Sequence, residues 1–71
     1  MMDYEILANA IIEQAAKDYR SARTALGKDS ENVAAAAMRS DTERFFRSAW
    51  FGQLTSIDAE WLLQKLEGEF A

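Results

Sequence analysis

The sequence predicts an all-α fold: a small three-helix domain in which two long helices form an antiparallel hairpin and a short C-terminal helix closes its open end. The 71 residues include no proline, strong helix formers such as alanine, leucine and glutamate dominate, and apolar side chains recur every three or four positions. A chain of this length makes one domain, residues 1–71. Its core is small, so the domain alone is only marginally stable.

The first helix is predicted over residues 3–26, with Asp3 as its N-cap. Its apolar side chains fall within an arc of about 140° on a helical wheel. Much of this stripe is alanine, which allows a neighbouring helix to approach closely. The core residues predicted in this helix are Tyr4, Leu7, Ile11, Ala15 and Tyr19.

The second helix is predicted over residues 31–51, after the turn GKDSEN, in which Asp29 or Ser30 provides the N-cap. The segment SDTE (40–43) also fits a capping box. A new helix start near Asp41 is therefore the alternative to the continuous helix that we favour.

The third helix is predicted over residues 57–67, with Thr55 or Ser56 as its N-cap. Gly27 and Gly52 are interpreted as stops just beyond the ends of the first two helices. The core residues predicted in the third helix are Leu62 and Leu66.

The segment RFFRSAWF (44–51) holds four of the eight aromatic residues of the chain. Its arginines point away from the apolar stripe, and Phe51 lies off the stripe beside a glycine. Each buried Phe or Trp contributes about 2–3 kcal/mol to stability. The core residues predicted in the second helix are Met38, Phe45, Phe46 and Trp50.

Trp61 lies with Ile57 on the side of the third helix that faces away from its leucines. Two interpretations stay open. Either Phe51 and Leu54 fold over Trp61, which we favour, or Trp61 is exposed and contacts a partner, a role in which tryptophan is enriched.

Asp18 is the one acid inside the apolar stripe of the first helix, where a carboxylate needs a partner or water. We favour a structural ion pair with an arginine of the second helix. The alternative is a functional acid with a raised pKa, but no nucleophile, base or metal ligand accompanies it. The candidate partners are Arg39, Arg44 and Arg47.

Catalytic and cofactor sites are not expected. The chain has no histidine and no cysteine, and it lacks a phosphate-binding glycine loop, HExxH and a nucleophile elbow. We therefore expect no enzymatic activity, cofactor, metal or small-molecule substrate. No apolar run is long enough for a membrane span, and the acidic N-terminus does not resemble a signal peptide, so we expect a cytoplasmic protein without a membrane partner.

The net charge of −4 is concentrated in residues 52–71, which hold four acids and one lysine. Such a charge repels phosphate, so we expect no direct contact with nucleic acid, and the third helix is unsuited to be the recognition helix of a helix-turn-helix. The aromatic residues of RFFRSAWF turn inward, which argues against base stacking.

Two stretches, EQAAKDYRSA (13–22) and ERFFRSAWFGQLTSIDAEWLLQKLEGE (43–69), together resemble small helical proteins carried by prophages and conjugative elements of Gram-positive bacteria. The resemblance covers about half of the chain, and its most specific part is the aromatic block. It implies genomic context and no activity. The matching residues are Asp18, Tyr19, Arg20, Glu43 through Ser48, Trp50, Phe51, Ile57, Asp58, Glu60, Leu62, Leu63, Lys65 and Leu66.

This context suggests a non-enzymatic protein-binding module in a bacterial host cell. One hypothesis is an inhibitor that binds a host nucleic-acid-binding defence protein, such as a CRISPR effector, through acids that mimic phosphates. The alternative is a self-associating structural or regulatory accessory of the element. The alanine-rich stripes also predict a homodimer. The partner-contact residues predicted on the third helix and its flanks are Ile57, Asp58, Glu60, Trp61, Glu67 and Glu69.

Overall fold

The computed structural model describes residues 3–70, so residues 1, 2 and 71 of the predicted domain lie outside the described residues. The all-α prediction is confirmed, but four helices replace the expected three. Within residues 3–70 there is no β-strand. The helices are α1 (Tyr4–Lys28), α2 (Val33–Phe46), α3 (Ala49–Leu54) and α4 (Ala59–Gly68).

Helices α1 and α2 form the antiparallel hairpin, joined by the short connection 29–32. Helix α3 folds back near the start of α1, where the Tyr4 hydroxyl lies 3.5 Å from the carbonyl oxygen of Gln53. Helix α4 runs antiparallel to α2, because Arg47 pairs with Glu60 at one end. At the other end, an ion pair joins Arg39 of α2 to Glu67 of α4.

The second predicted helix is interrupted at Arg47 and Ser48, which corrects the expectation of one helix through residue 51. Ser48 has an extended backbone, and its hydroxyl accepts a hydrogen bond from the backbone N–H of Phe51 at 3.2 Å. The same hydroxyl donates to the Phe45 carbonyl at 2.6 Å. A serine that satisfies backbone groups on both sides stabilises a helix boundary. Helix α2 continues through Asp41, where a restart was the alternative.

Three other helix boundaries differ from the expectations. Asn32 rather than Asp29 or Ser30 is the N-cap of α2, and its side chain accepts from the Ala35 backbone N–H at 3.0 Å. Asp58 rather than a preceding hydroxyl caps α4, accepting at 2.9 Å from the Glu60 backbone N–H. Both glycines predicted as stops lie inside helices and have ordinary helical φ values.

The core lies where α1, α2, α3 and α4 meet. Phe46 and Phe51 are completely or almost completely buried, at 0% and 1% exposure, with their ring centroids 5.4 Å apart in an edge-on arrangement. Such aromatic pairs contribute about 0.5–1.5 kcal/mol beyond the burial of their area. Tyr19, Leu63 and Leu66 complete the buried cluster. The half-buried side chains packed against it include Ile12, Ala15, Ala16, Phe45, Ala59 and Leu62.

Four residues predicted for the core are exposed instead, namely Tyr4, Leu7, Met38 and Trp50. The interruption at Ser48 explains Trp50, because it rotates the aromatic segment so that Phe51 points inward and Trp50 outward. Leu7 and Met38 are exposed because helix α4 covers only one side of the hairpin. The predicted apolar stripes were therefore wider than the one face of the hairpin that α4 buries.

Candidate protein-interaction surfaces

The side of the hairpin away from α4 carries an uncovered groove of about 710 Å³, which we call the open face. Nine of its eleven lining residues are uncharged, and most of these are apolar. From α1 they are Ile11, Gln14, Ala15 and Asp18. From α2 and α3 they are Ala34, Ala37, Met38, Asp41, Thr42, Phe45 and Trp50.

Trp50 dominates one end of the open face. It is 52% exposed, and its ring packs edge-on against the half-buried Phe45 at a centroid distance of 5.6 Å. Met38 and Leu7 are also exposed, and Leu7 lies one helical turn before Ile11 on α1. Large apolar side chains therefore continue along the groove and beyond its end, which is typical of a contact surface rather than of scattered surface residues.

The carboxylate of Asp18 lies in the open face and accepts a hydrogen bond from the Gln14 side chain at 3.0 Å. Among residues 3–70 it forms no ion pair, so the predicted pairing with an arginine of the second helix is wrong. Arg39 and Arg47 instead meet acids of α2 and α4.

The three candidate arginines have different surroundings. Arg39 pairs with Glu43 at 2.9 Å and approaches Glu67 at 3.5 Å. Arg47 pairs with Glu60 at 2.8 Å and approaches Glu43 at 3.5 Å. Arg44 is exposed and, in the part of the chain that the structure describes, has no acidic partner.

We call the second surface the α4 edge; it consists of the six partner-contact residues predicted above. Ile57 is exposed, and Trp61 is 53% exposed, with the Lys65 ammonium 5.7 Å from its ring centroid. The favoured interpretation, in which Phe51 and Leu54 fold over Trp61, is wrong, because Trp61 is half exposed and Phe51 is buried in the core. Trp61 is thus available to solvent on the outer side of α4.

The acids of the α4 edge are largely neutralised within the chain. Glu60 pairs with Arg47, Glu67 lies 3.5 Å from both Arg23 and Arg39, and Arg20 pairs with Glu69 at 2.9 Å. The remaining acid of this edge, Asp58, caps α4. Hydrogen bonds donated by Arg20 lower the pKa of the Glu69 carboxyl below its ordinary value. These acids tie α4 to the hairpin and present little unpaired charge.

The described residues contain no group of three or more acidic side chains that is placed to hold a metal ion. No helix within residues 3–70 is both long enough and apolar enough to cross a membrane. The arrangement offers surfaces for contact, and the open face is the more apolar of the two.

Sequence reasoning missed the open face, because it assigned Leu7, Met38 and Trp50 to the core. A signal for it exists in α1, where Leu7, Ile11, Gln14 and Asp18 recur at intervals of four, three and four. Spacings of four and three are those of a heptad seam between helices, in which a polar residue at an otherwise apolar position specifies the register with the partner.

Comparisons of the chain with models of known protein families, with curated proteins and with solved structures find no match. The resemblance to proteins of prophages and conjugative elements therefore stays a prediction.

Proposed function

We propose that this chain is a non-enzymatic protein-interaction module and that its binding surface is the open face. The observation that carries the proposal is Trp50, half exposed beside Phe45 at the end of an apolar groove between two helices. Interfaces are dominated by a few large anchors, tryptophan foremost, set in apolar surroundings. A groove between two helices accommodates the apolar side of a further helix.

The inhibitor hypothesis remains a prediction with less support from the contacts. An acidic mimic of nucleic acid needs carboxylates that are free to meet cations of the target. On the α4 edge, Glu60, Glu67 and Glu69 already meet arginines of this chain. A partner that binds Trp61 would have to contact it beside Lys65 and beside these ion pairs within the chain. The open face favours the alternative hypothesis, a self-associating structural or regulatory accessory protein.

The test compares two tryptophans of equal exposure. We expect Trp50→Ser to abolish association of the purified protein, with itself or with a protein retained from host lysate, and Trp61→Ser to leave it unchanged. Both variants should keep the helical circular dichroism spectrum, since both side chains are half exposed. Association lost only with Trp61→Ser would move the function to the α4 edge, and a protein that associates with nothing would end the proposal.

A further inference from the structure

We propose that the occupant of the open face is a second copy of this chain. The two hairpins stack face to face across a twofold axis that runs perpendicular to the helices, so that each α2 lies antiparallel over the α2 of the other copy. This inference rests on the proposed function, because it names the partner of the same surface. Three independent features of the face support it: its shape, its unpaired charges and the surface area of the chain.

The open face is self-complementary in shape. Ala34 and Ala37 make it shallow at the end near the α1–α2 connection, whereas Phe45 and Trp50 make it bulky at the other end. In α2, Ala37 and Phe45 lie equally far from Asp41, about 6 Å on either side at 1.5 Å per residue. An antiparallel twofold centred near Asp41 therefore places the bulky end of each copy on the shallow end of the other. A parallel arrangement sets bulk against bulk.

The unpaired charges of the face are self-complementary as well. Arg20, Arg23, Arg39 and Arg47 all have acidic partners, but within residues 3–70 neither Arg44 nor Asp41 forms an ion pair. Arg44 lies three residues after Asp41 and seven after Ala37 on α2, a spacing that places it on the same side of the helix as these two lining residues. In the antiparallel arrangement the Arg44 side chain of each copy reaches the Asp41 carboxylate of the other, so the interface contains this pair twice.

The accessible surface area of the chain is larger than that of a compact monomer of the same mass, which is consistent with a surface that a partner covers. Its accessible surface is 5082 Å², against about 4450 Å² for a compact monomer of 8.0 kDa. The chain therefore exposes about 600 Å² more than such a monomer, and a standard interface covers roughly 800 Å² on each partner. The shape is correspondingly elongated, with extents of 42 × 24 × 19 Å. Chains of this size without disulfides commonly gain stability by oligomerisation.

Like charges near the axis oppose the dimer. The axis brings the two Asp41 carboxylates toward each other on the α2 side, where Arg44 of each copy lies between them, and the two Asp18 carboxylates on the α1 side, where each accepts a hydrogen bond from its own Gln14. Because this repulsion weakens the interface, we expect a dimer that dissociates on dilution rather than an inseparable one. The mass of the protein must therefore be measured over a range of concentrations.

The first experiment is sedimentation equilibrium of the full chain and two matched variants. We expect twice the monomer mass of 8.0 kDa at high concentration for the unaltered protein. Ala37→Glu places a charge in the interface, so we expect self-association to weaken by about a hundredfold or more. Ala36→Glu is the control, because Ala36 is also exposed on the same helix but does not line the groove. Both variants keep a good helix former at an exposed position, so their helical content should be unchanged.

The second experiment tests the orientation by exchanging charges. Arg44→Asp sets two acids against each other and should weaken the dimer, and the double variant Asp41→Arg with Arg44→Asp should restore it. The chain has no cysteine, so single cysteines report proximity without interference. Asp41→Cys near the axis should form a disulfide-linked dimer on oxidation, whereas Ala34→Cys should not link to itself, since its counterpart lies at the far end.

Several results would overturn the inference. These are a monomer at every concentration up to about 1 mM, equal effects of the two glutamate substitutions, no recovery in the charge exchange, or self-linkage of Ala34→Cys. A monomer that still binds another protein in a Trp50-dependent way would refute the second copy and leave the proposed function standing. Association that never depends on Trp50 would refute both.

Discussion

Trp50 and Trp61 are exposed to nearly the same extent, 52% and 53%, yet they lie in regions of opposite character. Trp50 extends from an apolar groove whose bordering charges, Asp41 and Arg44, have no partner among the described residues. Trp61 lies under Lys65, on a helix whose glutamates are paired with arginines of the hairpin.

The difference between these regions shows that the net charge of a segment is a poor guide to its free surface. Residues 52–71 hold four acids and one lysine, which on the sequence alone indicates an acidic surface. The arginines that pair with the glutamates of this segment come from α1, from α2 and from the residue that follows α2, all distant in sequence. In residues 28–51 the reverse holds, because four acids balance four bases, yet Asp41 and Arg44 have no ion-pair partner among the described residues.

The largest effect is expected from a substitution in the core, on which both regions depend. Phe46→Ala should lower the free energy of unfolding by about 3–5 kcal/mol, because a fully buried aromatic ring leaves a cavity beside Phe51 and Leu63. Urea denaturation followed by circular dichroism measures it. Phe45→Ala is the comparison variant and should cost less, since Phe45 is only half buried. Equal losses would contradict the assignment of Phe46 to the centre of the core.

An intermediate effect is expected from a substitution that alters the open face alone. Ser48→Ala removes the N-cap that rotates Phe51 inward and Trp50 outward, and should cost about 1 kcal/mol of unfolding free energy. In a Trp61→Phe background, Trp50 fluorescence should also change as α3 loosens. Ser40→Ala serves as the control, because Ser40 is exposed in the middle of α2. A Ser48→Ala protein as stable as this control would show that the cap does not determine the helix boundary.

The smallest effect belongs to the α4 edge. The pKa of Glu69 is lowered by the hydrogen bonds from Arg20, so its pair contributes stability above the ordinary carboxyl pKa and loses it as the pH falls through the lowered value. Stability measured between about pH 7 and pH 3 should therefore differ between the unaltered protein and Glu69→Gln at neutral pH and converge in acid.

Glu13→Gln is the control for that titration, because Glu13 is exposed and has no ion pair among the described residues. It should show no such difference at any pH. High salt should also reduce the Glu69 effect, since the pair is exposed to solvent. A difference that persists in acid would mean that Glu69 acts through packing rather than through its charge.

Much of the architecture follows from local signals in the sequence. The helical content, the hairpin of α1 and α2, the N-cap Asp3, and a short helix near the C-terminus all follow from periodicity and capping. The helix boundaries were predicted less well where several neighbouring residues could each serve as the cap. Asp29, Ser30 and Asn32 are all suitable N-caps by residue type, so the local signal did not identify Asn32 as the cap that α2 uses.

The candidate site was less predictable, because it depends on which face of the hairpin receives the single small helix α4. Periodicity identifies an apolar stripe but does not say how much of its width is covered. With α4 on one side, Phe46 and Leu66 are buried, while Leu7 and Met38 are left at the surface. The prediction of an ion pair for Asp18 failed for the same reason, because Asp18 lies in the open face whereas Arg39 and Arg47 meet acids of α4.

The sequence by itself determined that this protein is helical, because helix propensity and a period near 3.6 act within a few residues of each other. It also determined a small core rich in aromatic residues. Only the tertiary structure decided that Phe51 points inward while Trp50 points outward, that three glutamates of the α4 edge are paired, and that one face of the hairpin is open. The physical reason is that burial and charge pairing depend on residues that are distant in sequence, which no local pattern records.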